Sequence, residues 1–287
     1  MKREIFDRLC EELVVPFDAA PHLEQISKRW GISYDELSAA CSQEIQALVI
    51  QAHSWVRSNT HQMVDRYVTG ESLLDLACWA QCPPCLFARR LLESTPGLDS
   101  RQKSTKMLRN PGLLEASPEL EATPEETAAV QEVIIRLRAD IIEAARMDTM
   151  YSPQSDIVRH VHGIEYEALL CEKLRNASVP FFSEDVLREQ GFFKTPDIKL
   201  QIPIMLCGRV VNWIDSKATF GSRRPHMLQR EAQFLKYVNR FGPGAVIYWF
   251  GFVEDLADTD ADILLLERFP PTDQIVQLHR LPVVAPI

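Results

Sequence analysis

The segment from Gly191 to Gly221 carries two aspartates, Asp197 and Asp215, and a lysine, Lys217, two positions after the second aspartate. Between the aspartates lie two apolar, β-rich runs joined by Cys207-Gly208-Arg209, which predicts a hairpin. Alternate side chains of a strand share a face, so Asp215 and Lys217 lie side by side. An apolar strand gains nothing from a carboxylate and an ammonium unless they pair or hold an ion. The pattern therefore indicates a functional site.

Two carboxylates beside a lysine suit the hydrolysis of a phosphodiester. Carboxylate oxygens hold a hard cation such as Mg²⁺ or Mn²⁺, which keeps several of its waters. The metal polarises the phosphoryl oxygen and acidifies a bound water, while the lysine orients that water or stabilises developing negative charge. The alternative is a solvent-exposed Asp–Lys pair at a strand end, since such short spacings also arise by chance.

Two predicted helices flank the hairpin and supply further polar groups. In the first helix, Glu167 stands three and seven positions before leucines, near the apolar stripe that faces the sheet, whereas Glu165 points elsewhere. In the second, Gln233 and Tyr237 are four residues apart, so both are predicted to face one site. With a strand predicted at Gly244–Val253, the order helix, strand, strand, helix, strand is that of a nuclease core.

These motifs resemble the PD-(D/E)xK nuclease superfamily. Its signature is matched by Pro196-Asp197 and Asp215-Ser216-Lys217, its first-helix glutamate by Glu167, and the element of its RecB-like members by Gln233-x-x-x-Tyr237. More narrowly, about residues 140–275 look like the codanin-interacting nuclease family. That narrower resemblance is carried by Lys194–Asp197, Trp213–Ala218, Asn239–Gly244 and Val246–Trp249.

The resemblance implies a restriction-endonuclease-like α/β core with a mixed central sheet. Lys217 would handle the attacking water, while Gln233 and Tyr237 would position the scissile phosphate or Lys217. The metal ligands would be Asp197, Asp215, the Ser216 backbone carbonyl, and Glu167 either directly or through water. The same resemblance implies DNA as substrate, a codanin-type protein partner, a nuclear and cytoplasmic location, and a role in erythropoiesis.

Residues 1–112 are predicted to be helical. Leu23–Leu37 has a helix-turn-helix pattern in which Gly31 serves the turn and Ser33 with Glu36 forms a capping box. Ser72–Glu93 repeats the theme around a break at 81–84. One interpretation is a pair of helix-turn-helix units that hold DNA, and the other is a helical bundle that packs or binds protein.

Basic residues are concentrated between positions 89 and 109 of a chain whose net charge is −9. This stretch is predicted to contact nucleic acid, although a solvated loop is the plainer explanation. The predicted contacts are Arg89, Arg90, Arg101, Lys103 and Lys106. Cys82-Pro-Pro-Cys85 in the preceding segment lacks the second ligand pair of a zinc site, so we expect Cys85 and the nearby Cys78 to pack as small apolar residues rather than bind metal.

An acidic, proline-containing linker is predicted at residues 113–123, followed by a nuclease domain over 124–287. The sequence contains no run of about 18 apolar residues, so no membrane span is predicted. The charged, amphipathic first residues are not those of a secretory signal, and seven irregularly spaced cysteines fit a reducing compartment, so an intracellular location is expected.

The sequence thus predicts a metal-dependent deoxyribonuclease, with an N-terminal helical region that holds DNA. The competing hypothesis is a catalytically weak or inactive nuclease fold that serves as a scaffold for a protein partner. The intact set of acidic residues and lysine argues against that alternative.

Overall fold

The computed structural model describes residues 1–12, 20–94, 100–114 and 124–277. The first helices are α1 (Arg3–Glu12), α2 (Ala20–Trp30), α3 (Tyr34–Ser58), α4 (Thr60–Val68), α5 (Leu73–Trp79), α6 (Pro84–Glu93) and α7 (Arg101–Arg109). They are followed by α8 (Pro124–Met147), α9 (Pro153–Asn176), α10 (Glu184–Glu189), α11 (Arg223–Gln229) and α12 (Leu235–Phe241). The strands are β1 (Phe181–Ser183), β2 (Ile198–Leu206), β3 (Arg209–Lys217), β4 (Gly244–Tyr248), β5 (Ile263–Leu266) and β6 (Ile275–Gln277).

The chain forms two compact units. One comprises Met1–Glu11, Ser33–Gln43 and the chain from Arg159 onward, and the other comprises Glu12–Ile32 and Glu44–Val158. Packing therefore groups α1 and the start of α3 with the sheet, whereas the division predicted from sequence placed residues 1–112 together. Most of the predicted linker, residues 115–123, lies outside the described residues.

The sheet has the strand order β1-β2-β3-β4-β5, and β6 pairs with the far end of β2. Strand β2 pairs antiparallel with β1, β3 and β6. Strand β4 pairs parallel with β3 on one side and with β5 on the other. The predicted α/β class with a mixed central sheet is therefore confirmed. Strand β6 lies in a tail for which the sequence predicted no element.

The β2–β3 hairpin turns on two residues, Cys207 and Gly208, which have φ values of +48° and +76°. Positive φ at both positions is what a two-residue hairpin turn with the twist of the flanking strands requires. Strand β3 then runs to Lys217, so it includes Asp215 and Lys217, as the predicted alternation of faces requires. Strand β4 was predicted to reach Val253 but ends at Tyr248, where its parallel pairing with β3 also ends.

Helices cover both faces of the sheet, as the fully buried β4 requires. On one face, Leu170 and Leu174 of α9 pack with Ile198, Leu200, Ile214 and Ile247. On the other, Phe234 and Tyr237 pack with Trp213, Val246 and Tyr248. The site residues at the ends of β2 and β3 therefore lie between two helical layers.

Helix α1 packs within the same unit as the sheet. Phe6 stacks on Phe220 with ring centroids 5.5 Å apart, and the Glu254 N–H donates to the Met1 carbonyl at 2.9 Å. No local sequence pattern predicts these contacts, because they join residues that are more than 200 positions apart.

The second unit is helical, and its core gathers side chains of α4 to α8. Cys82 and Cys85 are buried in it, and the Cys85 N–H donates to a carboxylate oxygen of Asp148 at 2.9 Å. Asp148 thus accepts a hydrogen bond at the N-terminus of α6. The packing predicted for Cys85 agrees with its burial, whereas the packing predicted for Cys78 is wrong, because Cys78 lies on the exposed side of α5.

The predicted helix pairs of the N-terminal half are present as helices. Gly31 ends α2 with φ +65°, and the Ser33 hydroxyl accepts from the Glu36 N–H at 3.2 Å. Their use as DNA-holding helix-turn-helix units stays a prediction. No helix within the described ranges combines the length and apolar composition that a membrane span requires.

Candidate active site

Strand pairing brings the two aspartates together at one end of the β2–β3 hairpin. Ile198 pairs with Ile214, so Asp197 and Asp215 occupy the next positions outward on the two strands. The Ser216 N–H donates to Asp197 Oδ2 at 2.7 Å. Asp215 is 2% exposed, and its Oδ2 lies 2.5 Å from Lys217 Nζ. Both carboxylates and the lysine therefore form one cluster.

Two carboxylates and one ammonium group lie close together in this cluster. Burial raises the pKa of Asp197 well above its ordinary value, and the Asp215 carboxylate raises it further, against the opposing effect of Lys217. For Lys217, burial would lower the pKa, but Asp215 and Asp197 outweigh it, so the pKa lies above its ordinary value. One ammonium group thus faces two carboxylates, and a second positive charge would relieve the repulsion between the carboxylates.

Glu167 of α9 lies within electrostatic range of this cluster. Burial and Glu184 raise its pKa, Lys217 lowers it, and Asp215 raises it again. Leu170 and Leu174, on the same helix, are fully buried, whereas Glu167 itself is at the exposed margin of that stripe. Glu165 acts elsewhere, contributing to the raised pKa of Tyr166 after burial and Asp35.

The helix after the hairpin differs from the uninterrupted α-helix that the sequence predicted. Residues Arg230–Phe234 form a π-helical turn between α11 and α12, in which the Leu235 N–H donates to the carbonyl five residues back. Such turns are rare and often occur at functional sites. The wide turn changes the phase between Gln233 and Tyr237, so a spacing of four no longer guarantees a shared face.

Tyr237 lies close to the cluster. It is buried, its ring contacts Trp213 at 5.2 Å between centroids, and burial followed by Asp215 and Asp197 raises its pKa. Gln233 is half-exposed, and within the described part of the chain its side chain forms no hydrogen bond. Tyr237 thus lies near the carboxylates, whereas the structure shows no contact between them and the side chain of Gln233.

Trp249 is a neighbour of the site that the sequence reasoning missed. Its indole N–H donates to the Ser216 hydroxyl at 2.8 Å, and its backbone N–H donates to the Lys217 carbonyl at 3.0 Å. The Tyr166 ring stacks on the indole at 5.1 Å. Because β4 is parallel to β3, the residue that follows β4 lies beside the end of β3. That adjacency is the only signal that could have indicated Trp249.

Phe234, on the π-helical turn, is the second neighbour that was missed. Lys217 Nζ lies 5.8 Å from the centroid of the Phe234 ring, which is fully buried. The ring limits the positions open to the ammonium and attracts it through a cation–π interaction.

The predicted nucleic-acid contacts lie in the helical unit. On α7, Arg101, Lys103 and Lys106 are exposed, and the helix begins at Ser100, whose hydroxyl accepts from the Lys103 N–H. Arg90 pairs with Glu93 at 2.9 Å, and Arg89 is half-buried with its Nε enclosed. The exposed basic surface is therefore on α7 rather than on α6.

The donor set at the hairpin fits a hard divalent cation. Among the described residues, no group of three His, Cys, Asp or Glu side chains is gathered closely enough to hold an ion. Mg²⁺, however, is commonly held by one or two carboxylates, with waters completing its octahedron. Asp197 and Asp215, whose proximity raises the pKa of Asp197, meet that requirement.

The two glutamates of α9 allow a matched test. We expect Glu167→Gln to reduce the cleavage rate, or the affinity for divalent ions, about 10- to 100-fold, as loss of a group that supports a metal ligand does. Glu165→Gln removes the same charge two residues away and should change either quantity less than about twofold. The measurements are single-turnover rates and thermal unfolding over a Mn²⁺ titration. The reverse ranking would show that the other face of α9 serves the site.

The fold and this cluster define an α/β protein with a carboxylate–lysine site at the ends of two interior strands, β2 and β3, of a mixed sheet. A family model described as "Protein of unknown function TPD sequence-motif" matches residues 134–269. That range includes the tripeptide Thr195-Pro196-Asp197, which ends on the first aspartate of the site. No solved structure matches the chain.

The chain is similar to proteins named CDAN1-interacting nuclease 1. It is 34% identical to the Mus musculus protein over 294 residues, 96% of each chain. It is 35% identical to the Xenopus laevis protein over 257 residues, which are 84% of this chain and 78% of that one. The match to the Danio rerio protein, 39% identical over 204 residues, covers 69% of this chain and 62% of that one. This chain belongs to the CDAN1-interacting nuclease 1 family, which confirms the narrower of the two resemblances, that to the codanin-interacting nuclease family.

Proposed function

We propose that this protein is a metal-dependent nuclease of the PD-(D/E)xK type that hydrolyses DNA phosphodiester bonds. The observation that carries the proposal is the cluster in which Lys217 Nζ lies 2.5 Å from Asp215 and the Ser216 N–H donates to Asp197. The names of the relatives support nuclease chemistry. A bound Mg²⁺ or Mn²⁺ would supply a Lewis acid and a water of lowered pKa.

The residues of the cluster divide the work according to their charge. Asp197, Asp215 and the Ser216 carbonyl would hold the ion, with Glu167 acting through a water. Lys217, which lies 2.5 Å from Asp215, would orient the attacking water or stabilise negative charge that develops on the phosphate. The raised pKa of Tyr237 keeps its phenol protonated as a hydrogen-bond donor. With Gln233, Tyr237 would position the phosphate or Lys217.

The exposed basic residues of α7 would hold the substrate. Arg101, Lys103 and Lys106 are exposed on one short helix of an acidic protein, so their contacts would be to phosphates and would carry no sequence readout. Arg89 and Arg90 would contribute less, because Arg90 is paired with Glu93 and Arg89 is half-buried.

The names of the relatives also favour a protein partner. We propose that the chain binds a CDAN1-type protein, and the resemblance extends this to a nuclear and cytoplasmic location and to erythropoiesis. The same names leave a scaffold that binds the partner without turnover as the second candidate. The two differ in one property, because a scaffold need not bind divalent ions through Asp197 and Asp215.

The test is a cleavage assay of the full chain on labelled single-stranded, duplex, flap and junction DNA, with Mg²⁺, with Mn²⁺ and with chelator. We expect cleavage of at least one substrate with either ion and none in chelator. Thermal unfolding is followed in parallel, since an ion that binds only the folded chain raises its stability. A chain that neither cuts DNA nor gains stability from either ion would leave the scaffold as the function.

A further inference from the structure

The loop that leads into Asp197 displays an aromatic side chain to solvent. Phe193 is 83% exposed, and no other large apolar side chain of the described residues exceeds 57%. Burial of a phenylalanine side chain stabilises a protein or a complex, and in the free protein Phe193 gains almost none of that stabilisation. Phe193 is therefore available for contact with another molecule.

The loop is held in place on both sides of Phe193. Arg240 Nη1 donates to the Phe193 carbonyl at 2.6 Å, and the Phe192 ring lies 6.3 Å from that of Phe241. After it, the buried Thr195 donates its hydroxyl to Glu184 at 3.1 Å. The backbone around Phe193 is thus anchored while its ring stays in water.

Three basic residues lie next to Phe193 in the chain or near the partner of its carbonyl: Lys194 follows it, Arg240 donates to its carbonyl, and Lys236 stands one turn before Arg240 on α12. Lys194, Lys236 and Arg240 are all exposed, and Lys194 adopts the left-handed φ of +51°, which is uncommon outside glycine. The nearby Lys194 amine lowers the pKa of Lys236. Neighbouring ammonium groups repel each other, and an anion between them would be stabilised. The surface therefore offers an aromatic face beside an anion site, which is the combination that binds single-stranded nucleic acid.

We propose that Phe193 stacks on an unpaired nucleobase next to the scissile phosphodiester, and that Lys194 and Lys236 hold the flanking phosphate. This inference rests on the proposed nuclease function and narrows its substrate to single-stranded or branched DNA. Phe193 precedes Asp197 by four residues, so the two lie at most about 14 Å apart. At about 3.4 Å per nucleotide step, the cut falls within roughly four nucleotides of the stacked base.

The binding test uses the full chain in chelator, so that no turnover is needed. The probes are a single-stranded oligonucleotide containing 2-aminopurine and a blunt duplex of the same sequence. We expect the wild-type chain to quench 2-aminopurine fluorescence on binding. Phe193→Ala should weaken single-strand binding about 5- to 150-fold, whereas Phe193→Trp should retain it, since any aromatic face stacks on a base.

Two comparisons separate stacking from other effects. Leu228→Ala removes a side chain of α11 that is 57% exposed and should leave single-strand binding unchanged. Duplex binding should change less than about twofold in Phe193→Ala. Equal loss on both probes, or no loss and no quenching, would overturn the proposal. So would a Phe193→Ala chain that loses a purified protein partner but keeps single-strand affinity, since Phe193 would then be a protein-docking residue.

Cleavage mapping separates this inference from the nuclease function itself. On a flap substrate with Mg²⁺, we expect the cut within about four nucleotides of the junction, and Phe193→Ala should scatter its position. A wild-type chain that stacks bases through Phe193 but cuts no DNA would support the stacking site and overturn the nuclease function. A chain that cuts DNA with no dependence on Phe193 would support the function and overturn the stacking site.

Discussion

Asp215→Asn should lower the rate of DNA cleavage at least about a hundredfold. Asparagine has nearly the same shape, but it lacks the negative charge that a divalent ion needs in its ligand. Each 1.36 kcal/mol added to the barrier costs tenfold in rate, and loss of a metal carboxylate costs several kcal/mol. Single-turnover cleavage under saturating enzyme measures this effect directly, because it isolates the chemical step from product release.

Two further measurements keep the Asp215→Asn result interpretable. The substitution removes the partner of Lys217 but also the repulsion from Asp197, so unfolding in chelator must be measured to show that the chain stays folded. The increase in thermal stability on addition of Mn²⁺ should also be smaller in Asp215→Asn than in the wild type. Asp185→Asn, an exposed neighbour, should change the rate less than about threefold. Undiminished cleavage by pure Asp215→Asn protein would mean that the active site lies elsewhere.

Gly244→Ala should destabilise the sheet by about 3 kcal/mol, which is the upper end of the usual range for overpacking a core. A Cβ at this position would lie 2.1–2.5 Å from three atoms of the Trp213 indole. Trp213 cannot easily move, because it is fully buried and donates its indole N–H to the Gly242 carbonyl at 2.8 Å. Strand β3 or β4 must therefore shift, and Asp215, two residues after Trp213, would shift with it.

Chemical denaturation followed by tryptophan fluorescence measures the effect of Gly244→Ala. The matched control is Gly163→Ala in the interior of α9, where an added Cβ has no heavy atom within 4 Å. Alanine there should stabilise the chain by up to about 1 kcal/mol through helix propensity. If Gly244→Ala were as stable as the wild type, the close approach of β4 to Trp213 would be wrong.

The predictions from sequence that agree with the structure are those that depend on near neighbours in the chain. The period of two in β3 places Asp215 beside Lys217, and the turn chemistry of Cys207-Gly208 closes the hairpin in the expected place. The uniformly apolar run at β4 indicates a strand that is buried on both faces, as it is. In each case the determining interaction joins residues a few positions apart, so the pattern is visible without the fold.

Other features of the site depend on how each helix is rotated about its own axis, which the sequence does not determine locally. The choice of Glu167 over Glu165 rests on the rotation of α9 about its axis, which its packing on the sheet sets. The relation between Gln233 and Tyr237 assumed an α-helix, and the π-helical turn changes it. One extra residue in a turn costs little locally, and buried contacts such as that of Phe234 with Trp213 decide whether it is tolerated.

The sequence by itself determined the chemistry of the site: two carboxylates, a lysine, and the hairpin that joins them. Only the tertiary structure decided what surrounds them. Trp249 reaches Ser216 because β4 lies parallel to β3, and α1 reaches Phe220 across more than 200 residues. The loop that carries the exposed Phe193 is anchored by Arg240, which donates to the Phe193 carbonyl, and by Glu184, which accepts from Thr195. Contacts between distant segments depend on how whole elements pack, and no local pattern of residues records that.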